Sequence, residues 1–163
     1  MNKGPGMSLI VKTIARWVKV LIFLFGIYIT LTGQLSPGGG FAGGVIISCL
    51  YLMLVLSYGK EYTTKLFPKK LASSLDSLGA FIFLFMAILG FWFGGIFFIN
   101  FLWKILPGGY FKLTSAGTII INNIAICIKV SASLFLLFII MSALRVKENK
   151  DGTKEYIQKE EEE

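Results

Sequence analysis

The chain has 163 residues, of which 55% are hydrophobic and 15% charged; a soluble domain carries nearer ~25% charged residues, so water is not the solvent for most of it. The net charge of +7 is unevenly spread: residues 1–144 hold eleven Lys or Arg against Glu61 and Asp76, while 145–163 hold five bases and seven acids. No basic stripe is interleaved with aromatics outside an apolar run, which excludes a nucleic-acid partner, and the absence of histidine excludes histidine metal sites, Ser-His-Asp triads and histidine proton relays.

The first apolar span covers residues 17–33, with Lys3, Lys12 and Arg16 before it and Lys19 able to snorkel near its start. It runs into Thr32-Gly33-Gln34-Leu35-Ser36-Pro37 with no A-x-A-like cleavage site, so we expect a retained helix rather than a signal peptide. The second span covers 40–58, after Pro37, Gly38 and Gly39. A charged loop, 59–77, contains Lys60, Glu61, Lys65, Pro68, Lys69, Lys70 and Asp76. The third span, 78–103, ends before Pro107-Gly108-Gly109, and the fourth is 117–144. A spanning helix needs roughly 20 apolar residues, so the expected fold is an all-α membrane protein with four transmembrane helices. Each half is a helix, a loop with Leu-(Ser)-Pro-Gly-Gly and a second helix, which hints at duplication, although such residues also gather in ordinary turns. The tail, 145–163, ends in four glutamates and predicts a solvated helix or a disordered end.

Orientation follows from Lys and Arg. The N-terminal segment has three, the loop 59–77 four and the tail five, whereas the two alternate loops have none and two, Lys104 and Lys112. This asymmetry places both termini and the central loop in the cytoplasm.

Lys129 carries the most information. It lies twelve residues after Gly117, about 18 Å along a helix, and fifteen before Leu144, and a lysine stem of about 6 Å reaches neither interface. Such a charge costs roughly 2.5–3.5 kcal/mol on insertion scales, so it requires a partner or a hydrated cavity. Ser115, Thr118, Asn122, Ala125, Lys129 and Ala132/Ser133 recur at spacings of three and four and share a face, while Ile120, Ile124, Ile128, Leu134, Phe135 and Phe138 are lipid-compatible. Lys129 and Asn122 are either part of an ion path or interhelical glue. Because Glu61 and Asp76 both fall near inner helix ends, we expect the acidic partner of Lys129 on another subunit.

Ser36-Pro37-Gly38-Gly39-Gly40 reads as a helix start, Ser36 as N-cap and Pro37 as first helical residue. It lacks the Lys-Ser/Thr of a phosphate loop, so close packing is its expected purpose. Gly40-x-x-x-Gly44 with Ser48, and Gly90-x-x-x-Gly94, offer further small faces for helix contact. Cys49 and Cys127 sit in apolar runs and read as small core hydrophobes.

The segment Gly33-Gln34-Leu35-Ser36-Pro37-Gly38-Gly39-Gly40-Phe41-Ala42-Gly43-Gly44 resembles the G-H-x-S-P-G-G-G-F-x-G-G motif of the MnhB-like family, one of the component families of Mrp-type multisubunit sodium/proton antiporters. Ser115-Ala116-Gly117-Thr118, Asn123-Ile124-Ala125-Ile126 and Lys129-Val130 are similar to its last helix, and Asp76 stands where the family has an acidic residue before the third. Gln34 replaces the usual histidine. The Asn123/Lys129 version resembles the archaeal respiratory complexes, membrane-bound hydrogenase and sulfane-sulfur reductase, more than the bacterial antiporters. The resemblance implies a multi-pass, non-catalytic subunit in a prokaryotic cell membrane, without cofactor or metal centre. Its partners would be other membrane subunits, lipid, and sodium ions or protons. Lys129, Asn122, Asn123, Thr118 and Asp76 are the candidate ion-path or coupling residues. Ser36, Pro37, Gly38, Gly39, Gly40 and Gly44 are the candidate packing loop. An assembly scaffold with no ion path and a small self-sufficient channel are the alternatives; an enzyme is disfavoured because no nucleophile–base pair or metal set is present.

Overall fold

A computed structural model describes residues 7–35, 37–105, 113–148 and 154–158. In chain order the helices are α1 (Leu9–Leu31), α2 (Gly40–Tyr58), α3 (Lys60–Leu66), α4 (Lys69–Gly94), α5 (Phe101–Ile105) and, after a 3-10 turn at Leu113–Ala116, α6 (Thr118–Ala143). Strands β1 (Leu144–Glu148) and β2 (Lys154–Gln158) follow as an antiparallel pair, Leu144 opposite Gln158 and Glu148 opposite Lys154. Helices α1, α2, α4 and α6 are long and apolar enough to cross a membrane, where only a helix or a closed barrel satisfies every backbone N–H and C=O internally.

Helix α2 has the bounds expected of the second span, and α6 starts and ends within one residue of those expected of the fourth. The first helix begins at Leu9 rather than 17, because Lys12 and Arg16 are carried on its early turns. The third is displaced. It starts at Lys69, directly after Pro68, and ends at Gly94, where Gly95 takes a left-handed conformation (φ 70°) and its N–H donates to the Phe91 carbonyl. A glycine at this position is a common helix stop, and the apolar stretch beyond it forms a turn and α5 instead of continuing the span. Of the tail, expected as a solvated helix or a disordered end, the described residues 145–148 and 154–158 lie on the paired strands β1 and β2, which carry the β-branched and aromatic Val146, Tyr156 and Ile157.

The spanning helices pack in the order α4, α6, α2, α1. Helices α2 and α6 run parallel, Gly40 lying against Asn123 and Gly44 against Cys127 and Val130. Helix α4 runs antiparallel to α6, with Gly79 against Ala125 and Lys129. Helix α1 meets α2 through Gly26 beside Ile47 and Gly43 beside Thr30. Small residues at each crossing let the backbones approach closely, the usual route to helix association where lipid offers no hydrophobic drive. The apolar core is Val55, Ala72, Phe135 and Ile139. Tyr51 stacks on Phe67 with ring centroids 4.7 Å apart, and Phe67 meets Phe135 edge-on at 5.1 Å. Phe135, expected to face lipid, is fully buried, because it points between α2 and α4. Cys127 is buried as expected, whereas Cys49 is exposed.

Candidate functional site

With α4 beginning at Lys69, Asp76 lies seven residues inside a spanning helix, about 10 Å from its start. The antiparallel register brings it to the face of α6. Lys129 Nζ donates to Asp76 Oδ1 at 2.8 Å, and the Ser133 hydroxyl, one turn along α6, donates to the same oxygen. The acidic partner expected on another subunit is therefore in this chain. Lys129 lies eleven residues from Thr118 and fourteen from Ala143, about 16 and 21 Å from the ends of α6. The pair is not enclosed: the lysine side chain is 45% and the aspartate 31% exposed on the surface of this chain. Gly79 makes it possible, because a Cβ there would come within 2.8 Å of Lys129 Cβ and 2.7 Å of the Ala125 carbonyl oxygen.

The glycine loop forms a second feature. Gly38 (φ 154°) and Gly39 (φ 98°) turn the chain into α2, conformations that L side chains rarely adopt. The loop closes on Asn123. A Cβ on Gly33 would lie 2.8 Å from Asn123 Nδ2 and one on Gly39 3.3 Å from its Oδ1, while one on Gly40 would overlap the Asn123 carbonyl oxygen. Pro37, expected as the first helical residue, is exposed and lies before α2, which starts at Gly40 with Gly39 at the cap position, since two glycines with positive φ make the turn; Ser36 lies outside the described residues. Gly90 and Gly94, read as a helix-contact face, instead receive Ile99 and Phe98 of the turn that follows α4.

The remaining expected residues take separate places. Thr118 joins neither feature: its N–H and hydroxyl donate to Asn100 Oδ1 at 3.0 and 3.2 Å, and Asn100 Nδ2 donates to the Ala116 carbonyl at 2.9 Å. Asn100 thus caps α6 from a distant segment, supplying the acceptor that a helix N-terminus requires. Asn122 has a buried carbonyl oxygen with no hydrogen-bond partner among the described residues. Asn100, Gly79 and Thr30 were not singled out from the sequence. A lone asparagine among aromatic and apolar residues was the available signal for the first.

Residues 10–136 match a family described as "Domain related to MnhB subunit of Na+/H+ antiporter". An uncharacterised protein of Methanocaldococcus jannaschii is 32% identical over 141 residues, covering 84% of this chain and 53% of that protein. A Na(+)/H(+) antiporter subunit of Bacillus subtilis, of the B type, is 34% identical over 92 residues, 51% of this chain and 64% of that one. A solved chain of the membrane-bound sulfane sulfur reductase, an archaeal respiratory membrane complex, superposes with a TM-score of 0.69 at 27% identity, covering 85% of this chain and 61% of that chain. The matched part thus spans less than two thirds of each of these relatives. Four apolar spanning helices and a family match across most of their length identify a multi-pass membrane protein that belongs to the family of domains related to the MnhB subunit of Na+/H+ antiporters.

Proposed function

We propose that this chain is a non-catalytic integral membrane subunit of an Mrp-like cation/proton antiporter module. In this reading it contributes to sodium/proton translocation, either in a stand-alone antiporter or in an archaeal ion-pumping respiratory complex. The observation that supports it is the Asp76–Lys129 pair, a carboxylate and an ammonium 2.8 Å apart within two spanning helices. Intramembrane ionisable groups are costly, and they recur on ion and proton pathways. A proton or sodium ion arriving at Asp76 displaces the ammonium, and its departure restores the pair, so the local charge returns to the same state after each transfer. The relatives named as antiporter subunits support the same assignment. Both termini and α3 face the cytoplasm in this reading, on the Lys and Arg asymmetry.

Sodium/proton exchange in vesicles bearing the complex tests it. Lys129→Met and Asp76→Asn should each assemble and exchange several-fold more slowly, and Lys129→Glu, which sets like charge against Asp76, should be worse than Lys129→Met. Parent-level exchange in all three would remove the ion-path role. A second reading, an assembly scaffold, is favoured by Thr118 and Asn123, two expected ion-path residues that are engaged in the Asn100 cap and the glycine loop. Failure of Lys129→Met to assemble would support it.

A further inference from the structure

Lys129 uses one N–H on Asp76, and both hydrogen bonds to the carboxylate fall on Oδ1, so Asp76 Oδ2 and two ammonium N–H groups still require partners. Their exposure, 45% and 31%, directs this demand out of the subunit rather than into it. Hydrocarbon cannot meet it, since a polar group left without a hydrogen bond there costs several kcal/mol.

On the open side the α4 residues next to Asp76 are small, and the first bulky one on that stripe is Leu84, one turn beyond Ala80 and 54% exposed. On α4, Ser73 and Ala80 stand three before and four after Asp76 and share its side of the helix, with Ser77 beside them; all three are exposed. On α6 the stripe through Lys129 and Ser133 continues to Leu137 and Ile140, 60% and 55% exposed. The far side of α4 carries exposed bulky residues, among them Leu78 and Phe85. Small residues flanking Asp76 allow a second backbone to approach there, whereas bulky ones suit lipid.

We propose that this side of the α4/α6 seam is the docking face for a transmembrane helix of another subunit. That helix brings small side chains to Ser73, Ser77 and Ala80 and an oxygen acceptor to Lys129. Hydrogen-bonding complementarity selects this occupant: the pair is neutral, but its unmet ammonium donors call for an acceptor held within the spanning region, and a lipid chain offers none. The inference rests on the subunit reading above, which co-purification of the parent chain with its complex tests separately.

The test uses the complex in native membranes. Ser77→Trp and Ala80→Trp should insert at parental levels yet co-purify with the other subunits about tenfold less or worse, the change expected from overpacking a close contact. Leu78→Trp, two residues from Ala80 and so on the far side of α4, should remain in the complex. In a Cys49→Ala background, Ser77→Cys in the assembled complex should resist a charged methanethiosulfonate reagent that modifies Glu61→Cys. Retention of both seam tryptophans, or equal loss of Leu78→Trp, overturns the docking face. Modification of Ser77→Cys as fast as Glu61→Cys overturns it in favour of a water-filled vestibule.

Discussion

Gly40→Ala isolates the effect of volume at the α2/α6 crossing. Gly40 is not among the glycines with positive φ, so alanine is tolerated by the backbone and only space is at issue. The added Cβ would overlap the Asn123 carbonyl oxygen and lie 2.8 Å from its carbonyl carbon and Cα, where ordinary contact begins at 3.4 Å. These are backbone atoms of a rigid helix and cannot rotate away, so α2 and α6 must part by about 0.6 Å or more. Overpacking of this kind costs about 1–3 kcal/mol; the helix-propensity gain of alanine over glycine, at most about 1 kcal/mol, offsets only part. Gly59 is the control, with φ 93° but nothing within 4 Å of its Cβ. Substitution there costs strain of about 1–2 kcal/mol, independent of side-chain size. Unfolding of the purified chain in mixed micelles, titrated with dodecyl sulfate and followed by tryptophan fluorescence, should show stability falling steeply along Gly40→Ala, Gly40→Val and Gly40→Leu. The Gly59 series should be flat beyond alanine. A flat series at Gly40 would refute the close crossing.

Asn100→Ala should destabilise the start of α6 by about 1 kcal/mol, the usual cost of a lost cap, read as faster hydrogen exchange at the first turn with the rest of α6 unchanged. Phe135→Ala removes a ring that is 0% exposed and should cost about 3–5 kcal/mol; Phe81→Ala, at a side chain 63% exposed, should be near neutral in the same micelle titration. Cysteines at Glu61 and Lys154 should react with a membrane-impermeant thiol reagent only from the cytoplasmic side and one at Lys112 only from outside. Labelling of all three from one side would contradict the orientation drawn from Lys and Arg.

The end of α2 and both ends of α6 are legible because a glycine or a charge step marks them, whereas the start of α2 is not: Ser36-Pro37 reads as the helix start, and the helix begins at Gly40. The ends of α4 are not legible either. Lys69, Lys70, Ser73, Ser74 and Asp76 read as a charged loop, although Pro68 just before them is itself a helix-start signal; hydropathy records where a helix meets lipid, not where it begins. Beyond Gly94 the run Ile96–Phe98 is as apolar as the helix, and only the left-handed Gly95 separates them. A span that starts at 78 leaves Asp76 near an inner helix end, short of Lys129, whereas a helix that starts at Lys69 carries it to the face of α6. The place of Lys129 near the middle of α6 is legible, since distance along one helix needs no tertiary information. The glycine loop reads as a candidate for close packing, but that it closes on Asn123 is not legible, because which helix a glycine meets is a property of topology. The burial of Phe135 was missed for the same reason: periodicity defines faces but does not say which face meets protein.

The order α4, α6, α2, α1 has a consequence for biogenesis. As the chain leaves the ribosome, α1 and α2 can pair as soon as both have entered the bilayer, but α4 arrives with its principal neighbour not yet made. Until α6 is inserted, Asp76 has neither Lys129 nor Ser133, and Gly44 and Gly79 face lipid instead of a backbone. The bundle is therefore completed only by its last spanning helix, and a nascent chain arrested before Thr118 leaves the Asp76 carboxylate without either of its partners.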